Sequence, residues 1–365
     1  MQRYVVKIGS SSLTSDEGGL NRNKIDFFAS ELASLHQNDK QPLLVTSGAV
    51  AAGFTKIGYR KRPKFLHEQQ AAAAVGQALL MQAYQESFSK YNITVAQILL
   101  TRSDFSNQSR IHNALMTIDE LIKHRIIPII NENDTVSVNE LKFGDNDMLS
   151  ALVANLIKAD RLAILTDTEG LFTADPRKNP EARKIEYVTN IDNDLLQMAG
   201  GSGSSVGTGG MRSKVEAARI STRGGVSVFV GRVTEAGDLI NAISGKGKGT
   251  YFETSSHTLS TKKQWVGFHS MPQGVIIVDR GAENALLTGG KSLLPAGITD
   301  ASGDFCPGDV IEVQNAERHT IGRGIVNYAA WQLHMVLGMS TEEAMKQVQV
   351  MRIEVIHRDE WIATV

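Results

Sequence analysis

From the N-terminus to about residue 245, short apolar runs alternate with longer stretches whose apolar residues recur every three or four positions. The runs Tyr4–Ile8 (YVVKI), Leu43–Val45, Val95–Leu100 (VAQILL), Ile126–Ile130 (IIPII), Leu162–Leu165 and Val226–Val230 (VSVFV) are apolar almost without a break. Such runs predict strands buried on both faces of a parallel sheet. Between them, Lys24–Gln37, Glu68–Lys90, Ile111–Lys123, Asn146–Lys158, Gly210–Arg223 and Glu235–Ile243 show the period of amphipathic helices. Strand and helix in turn imply right-handed crossovers, hence a three-layer α/β/α fold around a mostly parallel sheet.

The pattern changes after Ser244. The run GKGKGTYFETSSHTLSTKKQ is rich in Gly, Ser, Thr and Lys and reads as a linker with a ragged strand. Beyond it, short β-like pieces follow closely at Trp265–His269, Gly274–Val278, Val310–Val313 and Gly322–Val326, bounded by Gly, Pro and Asp. One helix is predicted over Ser340–Val348, where Ser340 and Glu343 stand at capping-box spacing. The expected organisation is an α/β domain over 1–255, a linker over 256–272, a small mainly β domain over 273–357 and a tail over 358–365.

Composition narrows the function classes. Hydrophobic content of 42% and charged content of 21% allow a buried core and argue against wholesale disorder. A net charge of −1 gives no broad electrostatic footprint for nucleic acid or an anionic membrane. The single cysteine, Cys306, has no partner for an intramolecular disulfide and no Cys/His cluster around it. The start MQRYVVKIG runs straight into a strand without a signal-like segment, and no apolar run approaches the roughly 20 residues needed to span a bilayer. The chain therefore reads as a soluble cytoplasmic protein without a structural zinc site.

In open parallel sheets the ligand lies beyond the carboxyl ends of the strands, so the loops after each strand are where chemistry is expected. Lys7 is followed by Gly9–Ser12 (GSSS), and the second run by Thr46–Ala49 (TSGA). After the fourth comes Asn131–Thr135 (NENDT), then Gly144–Asp147 (GDND) opening a helix. The fifth is followed by Thr166–Gly170 (TDTEG), and Gly203–Lys214 (GSSVGTGGMRSK) leads into another helix. Small residues admit close backbone approach, and helix N-termini favour anions. Asp and Asn at a helix start are equally good caps, and a Gly/Ser loop is equally an ordinary connector. What favours a site is that lysines, carboxylates and anion-type turns fall at one edge of one sheet. No standard phosphate motif explains the glycine-rich stretch. A Walker loop needs lysine where Met211 stands, and the GGKS at Gly289–Ser292 has Ala285 where the first glycine belongs.

Taken together, KIGSSSLT (Lys7–Thr14), TSGA, INENDTV (Ile130–Val136), FGDNDMLSA (Phe143–Ala151), LTDTEGLFTADP (Leu165–Pro176) and GTGGMRSK (Gly207–Lys214) resemble the amino acid kinase family, within it the glutamate-phosphorylating branch. The segment from Gln273 to His357 resembles a PUA domain. The departures are small: Ser10 stands where Thr is common, and Arg212-Ser213 where small hydroxyl residues are usual. The resemblance implies ATP-dependent phosphorylation of the L-glutamate γ-carboxylate to γ-glutamyl phosphate, the first step of proline biosynthesis, with Mg²⁺ on the ATP phosphates.

It further implies roles for particular residues. Lys7 and Lys214 are the catalytic cations, with Asp147 holding them in place. Ser47, Asp134 and Asn146 take glutamate, with Asp134 suited to its ammonium. Lys7, Thr166, Asp167 and the run Thr208, Gly209, Gly210, Met211, Arg212, Ser213 and Lys214 contact the nucleotide. Gly203–Val206 is the part expected to order over ATP. Also implied are a homo-oligomer (dimer or tetramer), feedback inhibition by proline, and a transient hand-over to glutamyl phosphate reductase. The competing readings are another kinase of this fold, acting on aspartate, acetylglutamate, carbamate or uridylate, and RNA binding through the C-terminal domain. That domain carries Lys291, Arg318, Arg323, Arg352 and Arg358, but acidic residues interleave with them, so nucleic acid is the weaker reading.

Overall fold

The computed structural model describes residues 2–15, 19–137, 146–176, 178–200, 210–254, 263, 266–267, 270–350 and 352–363. It divides into two compact units, Met1–Thr258 and Leu259–Val365. The first is built on an eight-stranded sheet: β1 (Arg3–Ile8), β2 (Gln41–Thr46), β3 (Val95–Leu100), β4 (Ile127–Glu132), β5 (Arg161–Leu165), β6 (Tyr187–Val188), β7 (Ser227–Gly231) and β8 (Gly249–Phe252). The order is β3-β4-β2-β1-β5-β7-β8-β6. From β3 to β7 all neighbours are parallel, and β8 turns antiparallel to β7. The chain leaves β1 first toward β2 and later returns to β5, so strand order reverses at β1. A crevice opens beyond the carboxyl ends at such a point.

The helices are α1 (Arg22–Gln37), α2 (Ala49–Gly53), α3 (Leu66–Ser89), α4 (Arg102–Ser106), α5 (Gln108–Lys123), α6 (Asn146–Leu156), α7 (Asn193–Ala199), α8 (Met211–Arg223) and α9 (Asp238–Ile243). Helix α1 packs against α3 and α9, whereas α6 packs against α8 and the strands β1, β2, β4 and β5. Strand alternation decides which layer a side chain meets. Tyr4, Val6 and Ile8 of β1 join Phe28 and Leu32 of α1 and Leu80 and Tyr84 of α3 in the main core. Lys7 points to the opposite face, where α6 lies.

Helices α2 and α3 form an antiparallel hairpin. A Cβ on Gly76 would stand 1.8 Å from the Ala49 carbonyl oxygen, and one on Gly53 would stand 1.9 Å from that of Ala72. Only glycine admits so close an approach. Gly48, left-handed at φ 104°, turns the chain from β2 into this hairpin.

The second unit holds β9 (Gly274–Val278), β10 (Ile298–Gly303), β11 (Val310–Gln314), β12 (Thr320–Ile325) and β13 (Trp361–Ala363), ordered β10-β9-β11-β12-β13. Its helices are α10 (Arg280–Leu287), α11 (Ala330–Val336) and α12 (Thr341–Gln347), the last with the capping box read from Ser340 and Glu343. Ile276, Ile311, Phe305, Tyr328 and Leu333 are among the residues of its own core. The last residues are not a loose tail: Trp361–Ala363 pairs antiparallel with β12, because Trp361 and Ile362 are apolar and find a buried edge there. Of the strand expected over Trp265–His269, Val266 and Gly267 are described and are helical, and the remainder lies outside the described residues.

The hairpin yields a direct expectation. Gly76→Ala forces backbone apart and costs about 1–3 kcal/mol or more, read as a lower urea midpoint for the first unit.

Candidate active site

At the carboxyl edge of the sheet, three segments far apart in sequence meet in one ionic cluster. Lys7, near the end of β1, places its Nζ 2.5 Å from Oδ1 of Asp147. Lys214, in the first turn of α8, places its Nζ 3.0 Å from Oδ2. Asp147, in the first turn of α6, is 0% exposed, and the two lysines are 5% and 7% exposed. Burial pushes the Asp147 carboxyl up, but the two ammonium groups outweigh it and hold the carboxyl below the ordinary range. Two cations share one buried anion in a desolvated place, among the described residues. That is a condition for drawing in an anion.

A third donor reaches the same carboxylate. Ser213 Oγ lies 3.1 Å from Asp147 Oδ2 and 2.8 Å from the Gly210 carbonyl. A hydroxyl has one proton, so it serves one of these acceptors at a time. Ser213, expected as a nucleotide contact, also lies within hydrogen-bond reach of Asp147. Within α6, Ser150 donates to the Asp147 backbone carbonyl at 2.6 Å.

Beside the cluster, Asn146 anchors the β2 and β4 ends. Its Nδ2 faces the Thr46 carbonyl at 2.5 Å, Asn131 Oδ1 at 2.8 Å and Ser47 Oγ at 3.0 Å. Two amide protons cannot fully serve three acceptors, and Ser47 Oγ is the most distant of them. Asn131 in turn donates to Gln77 Oε1 at 2.8 Å, and Gln77 to Gln97 Oε1 at 2.9 Å. Thr46 is fixed from the core side, where its hydroxyl meets that of Tyr84 at 2.9 Å. The amides of Asn131, Gln77 and Gln97 were not singled out from the sequence. Asn131 was within reach as an amide at a strand end, but nothing in a helical pattern marks Gln77.

Asp134 sits half-buried in the turn after β4, which α3 braces through Gln70 Nε2 donating to the Ser137 carbonyl at 3.2 Å. Thr166 and Asp167 follow β5 at the same edge, joined by a 3.1 Å hydrogen bond, with Asp167 exposed. Gly210 caps α8 in an extended conformation with open space where a Cβ would stand, so a ligand can approach the free N–H groups of the first turn. Met211 and Arg212 belong to that turn, and the Arg212 side chain pairs outward with Glu216 at 3.0 Å. Thr208 and Gly209, the segment Gly203–Val206, and Gly144 and Asp145 lie outside the described residues. Among the described residues no group of three or more His, Cys, Asp or Glu side chains is placed to hold a metal ion. Nor is any helix among them long and apolar enough to cross a membrane.

A parallel sheet with a buried cationic cluster and a helix N-terminus at its carboxyl edge defines a protein built to handle a transferable anion. Residues 2–232 match the model of the amino acid kinase family, to which the chain belongs, and residues 274–347 match that of the PUA domain. A glutamate 5-kinase of Geobacillus thermodenitrificans is 52% identical over 362 residues, covering 99% of this chain and 97% of the relative. One of Bacillus cereus is 46% identical over 363 residues, covering 99% of each. The solved structure of a carbamate kinase from Giardia lamblia bound to AMP-PNP shares the fold, with a TM-score of 0.51 and 17% identity over 69% of this chain and 98% of that one.

Replacing the shared anion tests the cluster. Asp147→Asn leaves two buried cations uncompensated and costs about 3–5 kcal/mol at pH 7. Because the folded carboxyl is depressed, its contribution is complete above the unfolded value of 3.8 and is lost as pH falls below it. Urea unfolding of native and variant protein is therefore expected to differ fully at pH 7 and 5, and less at pH 3.

Proposed function

We propose that this chain transfers the γ-phosphoryl group of ATP to the γ-carboxylate of L-glutamate, giving γ-glutamyl phosphate and ADP, the opening reaction of proline biosynthesis. The observation that carries the chemistry is the Lys7–Asp147–Lys214 cluster at the carboxyl edge. Near-full-length identity to glutamate 5-kinases supports the choice of acceptor.

A carboxylate with a pKa near 4.3 is ionised at neutral pH, so the nucleophile needs no general base. A γ-carboxylate oxygen forms a bond to the γ-phosphorus as the bond to the β–γ bridging oxygen breaks, and ADP leaves with that electron pair. The barrier is the approach of one anion to another, and positive charge around the phosphoryl group lowers it. Lys7 and Lys214 supply that charge from opposite sides, and Asp147 sets their spacing without taking a proton. The first-turn N–H groups of α8 add a helix N-terminus. Thr166 and Asp167 flank the nucleotide. Part of the charge on the ATP phosphates would be neutralised by Mg²⁺ carried with the nucleotide.

On the other side of Lys7, the Ser47 hydroxyl takes one glutamate oxygen, and the Asn146 amide takes another by releasing one of its three protein acceptors. The Asp134 carboxylate takes the ammonium. The strand order β4-β2-β1-β5 thus becomes a line from acceptor through Lys7 to donor.

Incubation with ATP, Mg²⁺, L-glutamate and hydroxylamine is expected to give glutamyl hydroxamate. No hydroxamate, together with ADP release on carbamate or acetylglutamate, would overturn the reading. Lys214→Ala is expected to lower kcat about 100- to 1000-fold with the fold retained by circular dichroism. A kcat within a few-fold of native removes Lys214 from the chemistry. Asp134→Asn is expected to raise KM for glutamate more than it lowers kcat, and an unchanged KM removes the ammonium contact.

A further inference from the structure

The α2–α3 hairpin extends well past the edge it starts from. Ala49, just beyond β2, lies level with Gly76, while Gly53 lies level with Ala72. The two helices therefore run oppositely, and residues 66–75 of α3 rise beyond the carboxyl edge of the sheet. At 1.5 Å per residue that is an overhang of about 15 Å. A small apolar cluster of Ala49, Val50, Phe54, Ala72 and Ala73 makes it a firm wall. The wall is tied to the Asp134 turn through Gln70 and Ser137.

The tip of this wall is strongly basic. Between residues 56 and 64 stand Lys56, Arg60, Lys61, Arg62 and Lys64, all exposed. Among the described residues none of the five is in an ion pair. Glu68, the nearest acid in sequence, is engaged by Tyr59. The loop is not loosely hung, since Gln69 Nε2 holds the Pro63 and Lys64 carbonyls, each at 3.2 Å. The net charge of the whole chain is only −1, so this concentration of positive charge is local. Packing does not require it, because the side chains touch solvent, and five neighbouring like charges repel one another.

We propose that the hairpin tip is a cationic collar that draws small carboxylate and phosphate anions toward the carboxyl edge of the sheet. The identity of those anions as glutamate and ATP rests on the reaction proposed above. The collar acts through its field rather than by contact. Such a field reaches about 10 Å at roughly 0.1 M ionic strength, farther at lower salt, and is screened at high. It raises the local concentration of anionic substrate and leaves the chemical step to the buried lysines.

The test is a variant carrying Lys56→Gln, Arg60→Gln, Lys61→Gln, Arg62→Gln and Lys64→Gln, assayed beside the native chain. At roughly 20 mM ionic strength its KM for glutamate is expected to rise about 3- to 10-fold, with kcat at saturation unchanged. At about 0.5 M salt, where the Debye length is about 4 Å, the two KM values are expected to converge. The pair Lys61→Glu and Arg62→Glu, which changes fewer positions, is expected to shift KM in the same direction.

Equal KM values at low ionic strength overturn the collar, and a difference that persists at high salt assigns a contact instead of a field. Binding of poly(U) that is lost in the glutamine variant, with KM unmoved, overturns it in favour of a polyanion surface. Hydroxamate formation by the native chain reports on the reaction separately, so failure of one reading is not mistaken for failure of the other.

Discussion

Everything at the carboxyl edge depends on one buried carboxylate held between two ammonium groups. Removing three charges from water is costly, and the cost is recovered only when geometry is close and the remaining valences are met. Asp147 meets that condition with Lys7 on one oxygen and Lys214 and Ser213 on the other. The arrangement fixes the register between β1, α6 and α8, because none of the three can slide without stranding a charge. It also gathers two ammonium groups where the sheet opens to ligand.

Around that centre the topology sorts the chemistry. Strand order reverses at β1, so the strands to one side carry the amide and hydroxyl groups of Asn131 and Ser47, and the strand to the other carries Thr166. Lys7 stands between them. The amide chain from Asn146 through Asn131 and Gln77 to Gln97 stiffens the acceptor side by fixing each polar group with the next. Polar networks inside a fold are stable only when their members are satisfied, and this one ends at an exposed side chain where water completes it.

Much of this was legible in the chain itself. Uninterrupted apolar runs marked β1 to β5 and β7, helical periods marked α1, α3, α5, α6, α8 and α9, and the resemblance pointed to Lys7, Asp147 and Lys214. Other elements were not legible. Helix α2 is only five residues long, too short for a period to register, and α10 and α11 lie where close-set β-like pieces dominate. Trp361–Ala363 carries a strand pattern too brief to separate from a terminus. That the Ser213 hydroxyl also reaches Asp147 depends on which helix start is brought beside which, and no local pattern marks it.

The sequence by itself determined the layer architecture, because period and burial are local properties of the pattern. It also determined which residue types stand after each strand, and hence that the edge would be rich in hydroxyls, amides and lysines. Only the tertiary structure decided which of them meet. Lys7 and Lys214 are brought to one carboxylate by strand alternation and by two helix starts, and no local rule couples positions so distant. Likewise the place of the basic run at 56–64 relative to the site is not given by its sequence. The run becomes the tip of a wall over the site only because Gly53 and Gly76 let two helices touch backbone to backbone.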